Sequence, residues 1–144
     1  MFRHYRGLGA VGYREFVVRS LRAFLDGALT LTANFPSTAR VTLTRQADKN
    51  RFVLHLLYAP TISRGGQLKL SGGNVSRGAV IEVIEDLPPL RDVRVSLQLS
   101  NKIARVSCVP GGRELAFETV NGKTEIAVPQ FHCHQMIELG LADS

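Results

Sequence analysis

Apolar positions recur along this chain with two different periods. Between residues 13 and 28, Val17, Leu21, Phe24, Leu25 and Ala28 fall at helical spacing and make one apolar stripe, with Arg19 and Arg22 off it. Gly27 lies where a left-handed helix stop is easy. The pattern predicts an α-helix over 13–28, the one strong helical period in the chain.

Beyond that helix the period is two. Val41 and Leu43 alternate with Thr42 and Thr44, and Val93, Val95, Leu97 and Leu99 alternate with Arg94, Ser96 and Gln98. The stretch NRFVLHLLYAP, 50–60, is apolar at successive positions around His55, with a polar loop before it and Pro60 after it. A strand buried on both faces reads this way, so it predicts a central strand in a sheet covered on both sides. Further strand-like runs are 80–86, 103–109, 114–120, 123–128 and 134–139. Asn121-Gly122 between two of them is a hairpin signal, because a type I′ turn needs positive φ at both central residues. Pro110-Gly111-Gly112 and Ser100-Asn101-Lys102 mark further turns, and Pro88-Pro89 a connection. The glycine-rich 63–78 stretch reads as a long loop or an irregular hairpin around Gln67–Leu70. The spacing predicts a mainly β chain, an antiparallel β-sandwich of about eight strands preceded by one N-terminal α-helix. The expected division is a helical segment over 1–35, read as the tail of a preceding domain or as a cap on the sandwich, and a sandwich domain over 36–144.

Composition changes this picture little. At 144 residues with 44% hydrophobic and 21% charged side chains, one stable domain without staples is expected. The two cysteines, Cys108 and Cys133, both fall in strand-like segments, where free buried thiols are common. No apolar run is long enough to cross a bilayer, and Met1–Gly12 lacks the apolar core of a secretory leader. The compartment stays open and no membrane partner is expected. The formal charge of +6 raises nucleic acid as a partner, but the bases are dispersed and do not interleave with aromatics. No nucleic-acid partner is therefore expected.

Candidate chemistry is sparse. His55 is a potential base or ligand, though in such a strand it is expected to be a structural histidine bonded to a neighbour. On a strand, His132 and His134 project to one face and could supply two positions of a zinc site, with His55 or Cys108 as a possible third. Glu82, Glu85 and Asp86 share one run and Glu114 and Glu118 another; paired carboxylates would suit glycoside hydrolysis. No nucleophile elbow or phosphate loop occurs, and with no Trp a sugar-stacking platform is not indicated. No catalytic residue, cofactor or resident metal is assigned on these grounds.

The order of segments carries a resemblance. Pro36–Val41, then Asn50–Tyr58, Ile84–Asp86 with Pro89-Leu90, Val93–Leu97, Val128-Pro129 and His134–Ile137 together resemble the C-terminal β-sandwich of β-galactosidase-like glycoside hydrolases. Those enzymes carry a catalytic barrel and a glutamine-amidotransferase-like or trimerisation domain before that module. The resemblance implies a non-catalytic accessory module with a packing or oligomerisation role. Its partners would be the catalytic and middle domains of a parent glycosidase, and helix 13–28 would close the middle domain. The family's catalytic carboxylates lie in the barrel and have no counterpart here. Two alternatives stand beside it: a glycan-binding module using loop residues near Arg64–Arg77, and a stand-alone metal-dependent enzyme built on His132 and His134. Self-association through the helix also fits its apolar stripe.

Overall fold

The period-two alternation builds two four-stranded antiparallel sheets that share one interior. A computed structural model describes residues 9–25, 28–69 and 75–142. Helix α1 spans Val11–Phe24. Ten strands follow among the described residues: β1 Leu31–Ala33, β2 Arg40–Gln46, β3 Arg51–Leu57, β4 Ile62–Lys69, β5 Val75–Val83, β6 Val93–Leu97, β7 Ile103–Val109, β8 Phe117–Val120, β9 Lys123–Val128 and β10 His134–Leu141. The first sheet runs β1-β6-β9-β8 and the second β2-β3-β10-β7, while β4 and β5 pair only with each other. The expected antiparallel β-sandwich with an N-terminal helix is what forms.

Register decides which side chains meet inside. In the second sheet Leu43 lies opposite Leu54, Leu54 opposite Ile137, and Ile137 opposite Cys108, one inward row across four strands. In the first sheet Phe117, Ile126, Val95 and Ala33 make a corresponding row. Leu54, Leu56, Val95, Leu97, Ile137 and Leu139 are fully buried. Two such faces interdigitate to form the core of an aligned sandwich.

The turns follow their chemistry. Asn121 and Gly122 both take positive φ, 50° and 76°, as a type I′ turn requires, and the hairpin β8–β9 closes with Val120 opposite Lys123. Asn50, with φ of 47°, ends the short 3-10 turn Ala47–Lys49 that joins β2 to β3. Asn34 continues β1 along its neighbour: its amide donates to the Asp92 carbonyl at 2.9 Å and accepts from the Arg94 N–H at 2.6 Å.

Several expectations need correction. β3 is central in its sheet, but it is covered on one face only: Leu54 and Leu56 are buried, whereas Val53 and His55 are half-buried and Leu57 is exposed. The run is apolar on both faces, yet the outer one stays partly open, with Leu57 beside Glu82 of β5 at one end. The glycine-rich 63–78 stretch takes the second of its two expected forms, an irregular hairpin, with β4 and β5 paired across a register shift; Glu85 and Asp86, expected in a strand, lie past its end and outside any strand. The helix ends at Phe24, four residues short of the expected end, and Cys133 sits at a bend with φ of 57° and not in a strand.

Burial ranks the consequences of truncation. Leu54→Ala is expected to lower unfolding free energy by about 3 kcal/mol, because it opens a cavity in the sealed interior. Leu57→Ala, on the outer face of the same strand, is expected to cost under about 1 kcal/mol. Urea denaturation of the two variants checks the ordering.

Candidate functional site

The residues with chemical potential cluster on the outer face of the second sheet, and there they bond to one another. Register sets two outward rows, Thr42–His55–Met136–Val109 and Gln46–Arg51–Gly140–Arg105. His134 lies one step along β10 from Met136 on that face, diagonal to His55. His55 Nδ1 meets His134 Nε2 at 3.2 Å. The rings are near parallel, 10° apart, with centroids 5.4 Å apart. Such a separation is what rings meeting edge to edge along that N···N contact require. One nitrogen therefore carries the proton and the other accepts it. The expected structural histidine with a neighbour is thus found, and the neighbour is another histidine.

That arrangement separates the pair from which a zinc site was considered. His132 does not share the strand of His134, because the bend at Cys133 precedes β10. Its Nδ1–H donates to the Leu87 carbonyl at 3.0 Å. Among the described residues no group of three His, Cys, Asp or Glu side chains is placed to hold a metal. The facing nitrogens of His55 and His134 are committed to each other and not to a third point.

Next to the histidines stands a charge network. Arg51 Nη1 bonds Glu138 Oε2 at 2.6 Å, Arg105 Nη2 bonds Glu138 Oε1 at 3.1 Å, and Arg51 Nε donates to Gln46 Oε1 at 2.7 Å. Gly140 lies between the two arginines in their row, so no side chain blocks their reach to Glu138. The Glu138 side chain is 18% exposed and the Arg51 side chain 26%, so this pair is partly desolvated; Arg105, at 58%, contributes less.

The acids of the two runs, 82–86 and 114–118, lie apart from one another. Glu85 accepts both Nε and Nη2 of Arg64, at 2.5 and 2.6 Å. That guanidinium holds the Glu85 carboxyl below the usual range, and the carboxylate raises the Arg64 pKa in turn. The side chains of 67–79 lie outside the described residues. Glu114 forms an isolated bridge with Ser107 and does not belong to β8. Glu118, however, lies directly opposite Glu125 across β8–β9, lining a recess of about 590 Å³ with Arg94. Like charges directly opposite are unfavourable. The type I′ turn at Asn121-Gly122 fixes this register, so counting back from it would have found the pair. Glu118 is exposed and Glu125 half-buried, unlike the desolvated acid that hydrolysis needs.

The thiols do not bridge. Cys108 is buried and free, its pKa pushed up by burial against the opposing charge of Arg113, and Cys133 is half-buried and free.

Helix α1 is the least expected surface. It has no buried residue; Leu21 is 55% exposed and Phe24 85%. Its N-terminus has no side-chain cap and its first turn no acid.

Comparison with known proteins was made against this geometry. No protein-family model and no curated protein matches the chain. Among solved structures, alpha-L-fucosidase isoenzyme 2 from Paenibacillus thiaminolyticus is similar, with 34% sequence identity and a TM-score of 0.83 over 99% of this chain. The likeness supports a glycoside-hydrolase-related β-sandwich. It does not support the narrower β-galactosidase-like relationship that the sequence resemblance implied. This chain spans about a fifth of that fucosidase's length, 20%.

Two measurements check the site. Ellman's reagent is expected to modify Cys133 before Cys108 in the folded protein, and both at similar rates in denaturant. Replacing Glu138 by Gln is expected to cost about 1–2 kcal/mol and Arg105 by Ala under about 0.5 kcal/mol, read by urea denaturation.

Proposed function

We propose that this chain is a non-catalytic accessory β-sandwich of an α-L-fucosidase-like glycoside hydrolase. On this reading helix α1 is the surface on which the sandwich packs against the remainder of the enzyme. The observation that carries it is a 14-residue helix with no buried side chain. Helices of about that length are marginal alone in water and are normally held by packing of an apolar face. Here Val17 is half-buried, Leu21, Phe24 and Leu25 lie exposed on one stripe, and Tyr13 and Phe16 extend the exposed apolar area. A glycoside hydrolase of which this fold makes up one fifth supplies a partner of the right kind.

The candidate chemistry agrees with an accessory role. His55, His134, His132, Glu85, Arg64, Arg51 and Glu138 are each bonded within the domain. Groups tied up in this way shape a surface and do not await a substrate.

The test combines activity with docking. The purified chain is expected to leave 4-nitrophenyl α-L-fucopyranoside intact and to bind, in trans, the Paenibacillus fucosidase lacking its matching segment. The double substitution Leu21→Asp and Phe24→Asp is expected to weaken that binding by about a hundredfold, the scale of losing a hydrophobic hot spot, with the urea midpoint of the sandwich unchanged. Fucoside hydrolysis by the chain alone refutes the non-catalytic reading. Undiminished binding by the double variant refutes the helix as the contact. A concentration-dependent dimer that the double substitution abolishes would assign the stripe to a second copy instead.

A further inference from the structure

The ribbon β4–β5 belongs to neither sheet. Its strands pair only with each other, so both of its outer edges carry unpaired backbone groups. A lone two-stranded ribbon is marginal in water, and an open edge is normally shielded by charge, proline or cover.

Register sorts its described side chains onto two faces. Ile62 lies opposite Val83 and Arg64 opposite Ile81, which puts these four together; Ser63 and Glu82, opposite each other, fall on the other face with Val80. Glu82 lines a recess of about 320 Å³ with Thr38, Arg40 and Leu57 from the β2–β3 end of the second sheet. Glu82 reaches toward the sandwich there, yet both faces of the ribbon stay open: Val80, on the Glu82 face, is 64% exposed, and on the other face Ile81 is 53% and Ile62 38% exposed. Just beyond the ribbon Ile84 is 50% and Leu87 43% exposed. Among the described side chains Arg64 is paired with Glu85. The described part of the ribbon thus carries apolar surface on both faces.

We propose that β4–β5 is a second docking arm, whose exposed Ile62, Val80 and Ile81 lie on the same fucosidase-like remainder that helix α1 engages. The inference rests on the reading above and names a second contact for it. The fucosidase match spans 99% of this chain, so the ribbon, Ile62 to Val83, falls inside it and is no private insertion. The other four-fifths of that polypeptide are the occupant to which the arm is assigned. Gly65 and Gly66, with φ of 79° and 105°, accompany a register shift that bends the ribbon beyond Arg64 and lets it follow a partner's contour.

Amide hydrogen exchange separates this inference from the one beneath it. It is measured on this chain alone, and on the Paenibacillus fucosidase in which this chain replaces the matching segment. Amides of 62–66 and 80–83 are expected to exchange fast in the free chain and about a hundredfold more slowly in the hybrid, together with those of 11–24. Ile81→Asp in the hybrid is expected to restore fast exchange in the arm and leave the sandwich strands protected. Slowing in the helix without slowing in the arm overturns the arm and keeps the accessory reading. Slowing in neither overturns both. An arm already strongly protected in the free chain overturns the arm as well, since its face is then covered without the fucosidase.

Discussion

Leu43, Leu54, Ile137 and Cys108 on one sheet, and Phe117, Ile126, Val95 and Ala33 on the other, form the apolar rows between which the molecule buries its core. Burial at about 25 cal/mol per Å² makes that interior the main source of stability. It also has a fixed capacity. Two four-stranded sheets offer one inner face each, and strand alternation fills both. Whatever else is apolar in this chain must find its surface elsewhere. Helix α1 and the β4–β5 ribbon are the parts left over, and the outer face of β3 shares their position with Val53 and Leu57.

How much of this was legible follows from how local each signal is. The alternation at 93–97, the Asn121-Gly122 turn and the apolar run at 51–57 lie within a few residues of one another, and each gave an element correctly. What failed needed partners distant in sequence. That β3 is buried on one face only depends on whether anything covers Thr42, His55 and Met136, which no window of sequence contains. His55 and His134 are 79 positions apart, so their bond is invisible until β3 pairs with β10. His132 and His134 look equivalent by spacing, but the left-handed residue between them, Cys133, is rare for a non-glycine side chain and cannot be read from composition. The glycines at 65 and 66 left a loop and an irregular hairpin both open, because glycine weakens strands; the hairpin forms, and they mark its register shift.

The outer face of the second sheet shows why polar residues alone are poor evidence of a reactive centre. Two imidazoles at hydrogen-bond distance and a carboxylate between two guanidinia would each invite a catalytic assignment. In both clusters the facing groups bond to one another. Glu138 accepts on both oxygens, and the facing nitrogens of His55 and His134 satisfy one another. No buried side-chain polar atom among the described residues lacks a partner.

The exposed apolar elements present the opposite case. Natural sheets protect open edges with lysine, proline or inward charge, because an unprotected apolar strand invites aggregation. Around Ile62 and Ile81 the charges among the described side chains are Arg64, paired with Glu85, and Glu82. Along the helix stripe the one ion pair, Glu15 with Arg19, is highly exposed and covers none of Leu21, Phe24 or Leu25. A chain that kept such faces solvated would carry their cost without return. Their spread over two elements, one ahead of the sandwich strands in sequence and one between β3 and β6, fits a partner broad enough to touch both. A polypeptide of which this fold is one fifth has that breadth, whereas a bound sugar does not.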